Sequence, residues 1–478
     1  MGSALGPTTP APGEPPVALG GAVPASVSTT SLDAPTPDAA GLISPAVSGL
    51  PHDLWGNGQM LSIATALTAE KAEQIPALRQ LFLTILLAEA EAPVDAEGKG
   101  TLLLVRIDKL LALGALEQAS ALIAASGTMT PDLFRRDFDV ALLTGRESRA
   151  CEAMVTAPNL APTFAARVFC LARSGDWNAA ALTLRTGQTL GLIGTVEDTL
   201  LSRFLDPDLY EGEPVPRPPA PVTPLFWKMY EGIGEPLPTA SLPIAFAHAE
   251  LGPHSGWKPQ IEAAERLTRA GVVAPNVLLG LYTEREAAAS GGVWDRVTAF
   301  AAFDAAMQSG DAAAVATHLP RAWEAMAEAE LEVPFAALFS HDLLNMGLEG
   351  DAGTIAFRVG LLSPQYQTVA LNRKAQDATE AFLIAIATGA VQGVPAPDTL
   401  GRAILPAFLS PQPSDDAKRL LDENRLGEAL LLAIESVGRG VQGDLTGVTQ
   451  GLSLLRAVRL EDVARRTALE LMLLERRG

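Results

Sequence analysis

Apolar residues recur every three or four positions along most of the chain after residue 57. This periodicity predicts a train of amphipathic helices, each about 10 to 18 residues long. Alanine and leucine supply most of the apolar content, and aromatic residues make up only 5% of the chain. Small, unbranched side chains favour closely packed helices over sheets. The pattern therefore predicts an all-α fold.

A short pattern recurs within the first helical region, in which apolar residues precede a glycine and an alanine follows five residues later. It occurs as LLALGALEQA, ALLTGRESRA and CLARSGDWNAA, with Gly114, Gly145, Gly175 and the alanines Ala119, Ala150, Ala180. Each glycine is expected to end a helix in the left-handed conformation, and each alanine to let two helices approach closely. A period of about 30 residues is typical of antiparallel helical hairpins stacked into a right-handed α-solenoid.

These residues resemble the tetratricopeptide-like superfamily, whose repeat has the same helix, glycine turn and helix, with small residues at the crossing. The resemblance covers residues 100–205, and a weaker echo near 414–442 contains Asn424 and Ala429 in LLDENRLGEALLLA. The spacing departs from the roughly 34-residue consensus, and the consensus Trp and Pro positions are missing. The resemblance implies a concave surface for a protein or peptide partner, without identifying that partner.

Two proline-rich stretches divide the chain. The first stretch, at the N-terminus, has almost no large apolar residues and is predicted to be disordered. The second includes DPDLYEGEPVPRPPAPVTP and is too rich in proline to be helical throughout. The predicted division is a disordered segment at 1–56, tetratricopeptide-like repeats at 57–205, a Pro-rich linker or strap between two helical halves at 206–240, a central helical domain at 241–400 and C-terminal hairpins at 401–478.

The charge of the chain restricts its partners. Its formal net charge is −20, from 55 acidic and 35 basic residues. A nucleic acid would be repelled by this field, and the longest basic cluster is a pair such as Arg465–Arg466. No stretch approaches the roughly 18 apolar residues that a membrane-spanning helix needs. We therefore expect neither a nucleic-acid partner nor an integral membrane segment.

The midpoint between the two cysteines, Cys151 and Cys170, lies close to the centre of the predicted APNLAP loop. Across an antiparallel hairpin they would lie at the same height, close enough for a disulfide. The alternative is that both are small, buried free thiols. A disulfide would indicate an oxidising compartment such as the bacterial periplasm, with the signal peptide missing from this sequence. Free thiols would favour the cytoplasm.

Catalytic, cofactor-binding and metal-binding residues are not assigned. The five histidines lack the spacing of helical metal ligands, and two cysteines are too few for a zinc site. Gly438, Gly440 and Gly443 match GxGxxG, but an Ala/Leu-rich helix precedes them where a dinucleotide fold has a strand. We interpret these glycines as an interhelical turn.

The segment YTEREAAASGGVWDR interrupts the helical pattern with a Ser-Gly-Gly turn. Around this turn the candidate partner-binding residues are Tyr282, Arg285, Trp294, Asp295 and Arg296. Aromatic and arginine side chains beside a flexible turn are typical of binding hot spots. The alternative is that Trp294 packs into the seam of the next helix and Asp295 lies in that helix's first turn.

The repeat pattern and the lack of catalytic motifs favour a non-catalytic protein-binding scaffold, placed in the bacterial cell envelope. One alternative is an enzyme or accessory factor acting on peptidoglycan, with carboxylates such as Glu284 or Asp295 as acid and base. Another is a cytoplasmic regulatory scaffold. The sequence leaves the partner, the oligomeric state and the native N-terminus undetermined.

Overall fold

The computed structural model describes residues 36–71 and 75–474. All regular elements in these ranges are helices, and one isolated bridge pairs Ile43 with Ala88. The prediction of an all-α fold is confirmed. Within the same ranges, none of the helices has the length and apolar character needed to cross a membrane.

The helices differ greatly in length. Those before the second Pro-rich stretch are α1 (Pro45–Ser48), α2 (Met60–Ala69), α3 (Pro76–Leu87), α4 (Thr101–Ala112), α5 (Leu116–Ala125), α6 (Pro131–Leu143), α7 (Glu147–Thr156), α8 (Phe164–Arg173), α9 (Trp177–Thr189) and α10 (Thr195–Leu205). Those in the middle are α11 (Pro224–Gly232), α12 (Ala247–Glu250), α13 (Trp257–Arg269), α14 (Pro275–Thr283), α15 (Val293–Ser309), α16 (Ala312–Glu328), α17 (Glu332–Asn345) and α18 (Gly350–Leu361). The last are α19 (Tyr366–Asn372), α20 (Ala378–Thr388), α21 (Thr399–Leu409), α22 (Asp415–Asp422), α23 (Leu426–Val441), α24 (Leu445–Ala457) and α25 (Glu461–Leu473).

Glycine turns join the paired helices of the repeat pattern. Gly114, Gly145 and Gly175 have φ values of +78°, +69° and +85°. The amide after each glycine donates to the carbonyl five residues earlier, at 2.8, 2.8 and 3.0 Å, which closes the last helical turn. The alanines that follow, Ala119, Ala150 and Ala180, are fully buried. The small residue therefore lies where α5, α7 and α9 pack on their neighbours.

The same turn also occurs in the later part of the chain without glycine. Glu330, Asn424 and Arg459 adopt φ values of +56°, +55° and +66°. The amides that follow these residues donate to the carbonyl oxygens five residues earlier, at 2.8, 2.9 and 2.9 Å. The glycine pattern is not visible in the sequence at these three turns, because other residues occupy the left-handed position.

The largest apolar cluster joins both ends of the described chain, which forms one compact unit from Thr36 onward. It combines residues of α3, such as Phe82, with residues of α23 and α25, such as Ile434 and Leu469. Three further clusters lie within α6–α11, within α13–α18 together with Leu474, and around Trp227 and Phe246. The first and last helices therefore share one core, although they lie far apart in the sequence.

A loop at Leu54–Gly58 connects the N-terminal part to the turn between α22 and α23. Gly427 donates its amide to the Leu54 carbonyl at 2.7 Å, and Asn57 donates its amide to the Asn424 carbonyl at 3.2 Å. The indole of Trp55 is buried against Gly427. Disorder was predicted for 1–56; residues 1–35 lie outside the described residues, but Leu54 and Trp55 are core residues. The prediction of disorder is therefore wrong around Leu54 and Trp55, because these few apolar residues pack into the core beside α23.

The three glycines of the GxGxxG match do not form one turn. Gly438 and Gly440 lie inside α23, and only Gly443 follows it with a positive φ, +110°. The interpretation of all three as an interhelical turn was therefore wrong for the first two. Gly440 faces Val448 of α24, so close that a β-carbon would overlap the valine side chain. Glycine has a low helix propensity, but tight packing against α24 stabilises the helical conformation of α23 at this position.

The Pro-rich segment 206–240 contains the helix α11, and its proline-rich part is hydrogen-bonded to α11 and to the preceding helix α10. Arg203 of α10 donates to the Pro214 carbonyl at 2.9 Å, and the Tyr230 hydroxyl of α11 donates to the Pro216 carbonyl at 2.7 Å. These bonds satisfy carbonyl groups that proline-rich backbone cannot pair within a helix. The predicted division into 57–205, 241–400 and 401–478 stays a prediction.

Candidate binding site

The candidate site lies where α13, α14 and the start of α15 meet. Trp257, Ile261 and Ala264 form the buried face of α13, at the spacing expected for a helix packed on one side. Glu265 lies next to this face and is 4% exposed. A carboxylate this deeply buried needs a cation or several hydrogen-bond donors.

Two side chains satisfy Glu265. The Tyr282 hydroxyl of α14 donates to Oε1 at 2.7 Å. Arg296 of α15 donates through Nε to Oε1 at 2.9 Å and through Nη2 to Oε2 at 2.6 Å. The paired guanidinium and carboxylate have the two-bond geometry that fixes both groups. This network locks the relative positions of the three helices.

Burial and charge act on the protons of this network. Burial, together with the negative charge of Glu265, raises the pKa of Tyr282 above its usual range. Burial lowers the pKa of Arg296, but the hydrogen bond and charge of Glu265 outweigh it and raise that pKa. At neutral pH the tyrosine therefore stays neutral and the arginine stays charged.

Two indoles and a guanidinium lie on the outer side of this network. The rings of Trp257 and Trp294 are 5.1 Å apart at an angle of 47°, and the Trp257 Nε1–H donates to the Leu281 carbonyl at 3.0 Å. The guanidinium of Arg285 lies 6.0 Å from the Trp257 ring centre, within the range of a cation–π interaction. Trp294 is partly exposed and Arg285 is largely exposed. We call Arg285 and Trp294, together with the buried Trp257 on which they pack, the indole–arginine surface.

The loop beside this surface is closed by its own polar contacts. Gly291 donates its amide to the Asp295 carboxylate at 2.9 Å, and Arg285 pairs with the adjacent Glu284 at 2.7 Å. Gly291 and Gly292 have φ values of +92° and +56°, which side chains with a β-carbon rarely adopt. Glu284 and Asp295 therefore contact a neighbouring arginine and a backbone amide, respectively.

The structure separates the five predicted partner-binding residues. Arg285, Trp294 and Asp295 reach the surface, whereas Arg296 is mostly covered by its contact with Glu265. Tyr282 was predicted to face a partner but is fully buried, because its hydroxyl satisfies Glu265. Trp257 and Glu265 were missed; the sign available in the sequence was a glutamate next to the apolar face of an amphipathic helix.

The cysteines lie in α7 and α8, one on each helix of a hairpin. The structure joins Cys151 to Cys170 by a disulfide, with their α-carbons 5.0 Å apart. Both sulfurs lie in the cluster formed by α6–α11. The bond connects the two helices of this hairpin across the seam between them.

Neither a search for metal ligands among the described residues nor a comparison with known proteins points to a further site. Within residues 36–71 and 75–474, no group of three or more His, Cys, Asp or Glu side chains is arranged to hold a metal ion. Comparison with family models, curated proteins and solved structures finds no match to this chain.

Proposed function

We propose that this chain is a non-catalytic protein-binding scaffold of the bacterial cell envelope, and that the indole–arginine surface contacts its partner. The proposal rests on the way in which the residues of that surface are held in position. Trp294 and Arg285 reach solvent, while the adjacent Arg296 is fixed to buried Glu265. Aromatic and arginine side chains dominate the energetics of protein interfaces, and side chains held in place before binding lose less entropy.

The proposal includes the architecture around this surface. The helical hairpins would stack as a right-handed solenoid of tetratricopeptide-like type, with segment 206–240 as a strap between the two halves. The recurring turns at Gly114, Gly145 and Gly175 support a repeated hairpin unit. Stacked hairpins leave a concave face that suits an extended partner.

The proposed compartment is the periplasm. The Cys151–Cys170 disulfide supports this, because disulfides persist in oxidising compartments and are rare in the cytoplasm. The acidic net charge of −20 keeps a hydrophobic helical protein soluble and favours a partner surface with basic groups.

The proposal is tested by photocrosslinking in intact cells. Benzoylphenylalanine replaces Arg285 in one variant and Arg185, an exposed arginine of α9, in a control variant. We expect a discrete crosslinked product from position 285 and none from position 185. The product should be lost when Trp294→Ala is added, and thermal melting should show that this variant remains folded.

Two results would contradict the proposal. Equal crosslinking from both positions, or none from position 285, would remove the indole–arginine surface as the contact. Release of muropeptides from purified sacculi by the wild-type chain, lost in Glu284→Gln or Asp295→Asn, would replace the scaffold by a peptidoglycan-acting enzyme.

A further inference from the structure

A cleft opens where the turn between α22 and α23 meets the turn between α24 and α25. Its volume is about 310 Å³, and its lining is formed by Leu421, Asn424, Leu426, Ala457, Val458 and Arg459. Four of these six side chains are aliphatic, and Arg459 supplies the only charge of the lining. Ligand pockets begin at roughly this volume, so the cleft has room for a single aliphatic residue.

Arg459 has an unusual backbone conformation. Its φ is +66°, in the left-handed region that residues with a β-carbon other than Asn and Asp avoid. Gly114, Gly145 and Gly175 occupy the same position in the equivalent turns. A glycine at 459 would adopt this conformation with less strain.

The other two non-glycine residues in this conformation have contacts inside the protein. The Glu330 carboxylate lies 4.0 Å from Nε of Arg269, and the Asn424 amide donates to Asp53 at 3.5 Å. Arg459 is exposed, and among residues 36–71 and 75–474 its guanidinium has no hydrogen bond or ion pair. A surface arginine without an internal partner is available to a ligand that carries a negative charge.

We propose that this cleft binds the C-terminal residue of a peptide that ends in an apolar side chain. The guanidinium of Arg459 would bind the free carboxylate through two parallel hydrogen bonds, and the aliphatic lining would take the side chain. Within a polypeptide, a free main-chain carboxylate and an apolar side chain occur together on one residue only at the C-terminus. This site lies on helices other than those of the indole–arginine surface and does not depend on the proposed function.

The chain's net charge sharpens this assignment. With a net charge of −20, most of the surface repels a carboxylate. Arg459, which has no ion pair among the described residues, offers a local position where the anion is attracted. The cleft therefore discriminates by the terminal carboxylate as well as by the side chain.

The test titrates the full chain with acetyl-Ala-Ala-Leu bearing a free carboxylate, and with the same peptide amidated at its C-terminus. We expect the free acid to bind at least about tenfold more tightly than the amide, as expected for loss of a charge-assisted pair. Arg459→Gln should remove this preference, whereas Arg419→Gln should bind as the wild type does. Arg419 is a matched control because it is an exposed arginine of α22 that is paired with Asp416 at 3.0 Å.

Folding is checked in the same variants. Arg459→Gln should melt at the wild-type temperature, and Arg459→Gly should melt higher while binding no peptide, since it removes strain and ligand contact together. Equal affinity for acid and amide, unchanged affinity in Arg459→Gln, or no binding of the free acid at millimolar concentration would overturn the proposal. Displacement of the peptide by an equal concentration of hexanoate would overturn the assignment to a peptide terminus.

Discussion

The backbone amide of Asn57 donates to the carbonyl oxygen of Asn424 at 3.2 Å, and this bond joins the two ends of the described chain. Ser62 adds a second link through its hydroxyl, which donates to Glu428 at 2.5 Å. Because the first and last helices share one core, the chain is expected to unfold without a stable, separate N-terminal part.

Gly56 is the residue that permits this approach. Its φ is +42°, and a β-carbon there would overlap the Asn424 carbonyl. We expect Gly56→Ala to lower the free energy of unfolding by about 2–4 kcal/mol, measured by urea denaturation. Gly98→Ala is the control, since Gly98 has a φ of +70° but no atom within 4 Å of an added β-carbon. Equal losses in the two variants would show that the close contact contributes nothing.

A second prediction concerns glycines within the α23–α24 pair. A β-carbon on Gly451 would lie 2.5 Å from Cγ2 of Val437 and 2.8 Å from the Ala433 carbonyl, whereas one on Gly438 would contact nothing. We expect Gly451→Ala to cost about 2 kcal/mol through overpacking. Gly438→Ala should instead stabilise the protein by about 0.5–1 kcal/mol through helix propensity. Thermal and urea unfolding would measure both, and a gain in both variants would contradict the packing.

The buried network at Glu265 predicts unequal effects of two conservative changes. Glu265→Gln leaves the largely covered Arg296 without its carboxylate, which should cost about 3 kcal/mol. Tyr282→Phe removes one hydrogen bond and leaves the ion pair, at a cost of about 1 kcal/mol. Urea unfolding at pH 7 distinguishes them. A larger loss in Tyr282→Phe would mean that the ion pair does not hold α13 and α15 together.

The disulfide between Cys151 and Cys170 is checked by thiol titration. The chain denatured without reductant should show no free thiol, and two after reduction. Reduction should destabilise the protein by about 3 kcal/mol, because the bond closes a short loop in the unfolded chain, and hydrogen exchange should rise first in α7 and α8. The double variant Cys151→Ala, Cys170→Ala should not respond to reductant. Two reactive thiols before reduction would exclude the bond and remove the support for an oxidising compartment.

Asp139 of α6 predicts a specific dependence of stability on pH. Burial, with a smaller contribution from the charge of Asp108, raises its pKa to about 6 against the opposing charges of Arg135 and Arg136. The folded protein therefore binds this proton more tightly than the unfolded chain does. Its contribution is favourable below about pH 4 and is lost as the pH rises through about 6.

The Asp139→Asn variant has no carboxyl group to ionise at this position, so it does not lose this stability as the pH rises. Because 26% of the Asp139 side chain is exposed, water reduces the effect, and we expect the variant to be about 1–2 kcal/mol more stable than the wild type at pH 7. At pH 4 the two should differ little. Urea unfolding at both pH values measures this, and a difference independent of pH would contradict the assignment.

The amino-acid sequence by itself determined the local elements of this protein. Helices follow from apolar periodicity and residue preference, and the turns at Gly114, Gly145 and Gly175 follow from six neighbouring residues. At Arg459 the same turn was missed, because the residue type opposes its conformation and packing of α24 on α25 overrides that preference.

Only the tertiary structure decided which distant residues meet. Trp55 lies in a segment whose composition indicates disorder, yet it is buried against Gly427. From the sequence, Glu265 resembles a surface residue, but in the folded protein Tyr282 and Arg296 enclose it. Such pairings depend on how the helices cross in space, because the chain closes its first helices onto its last, and residue order along the sequence carries no direct measure of that crossing.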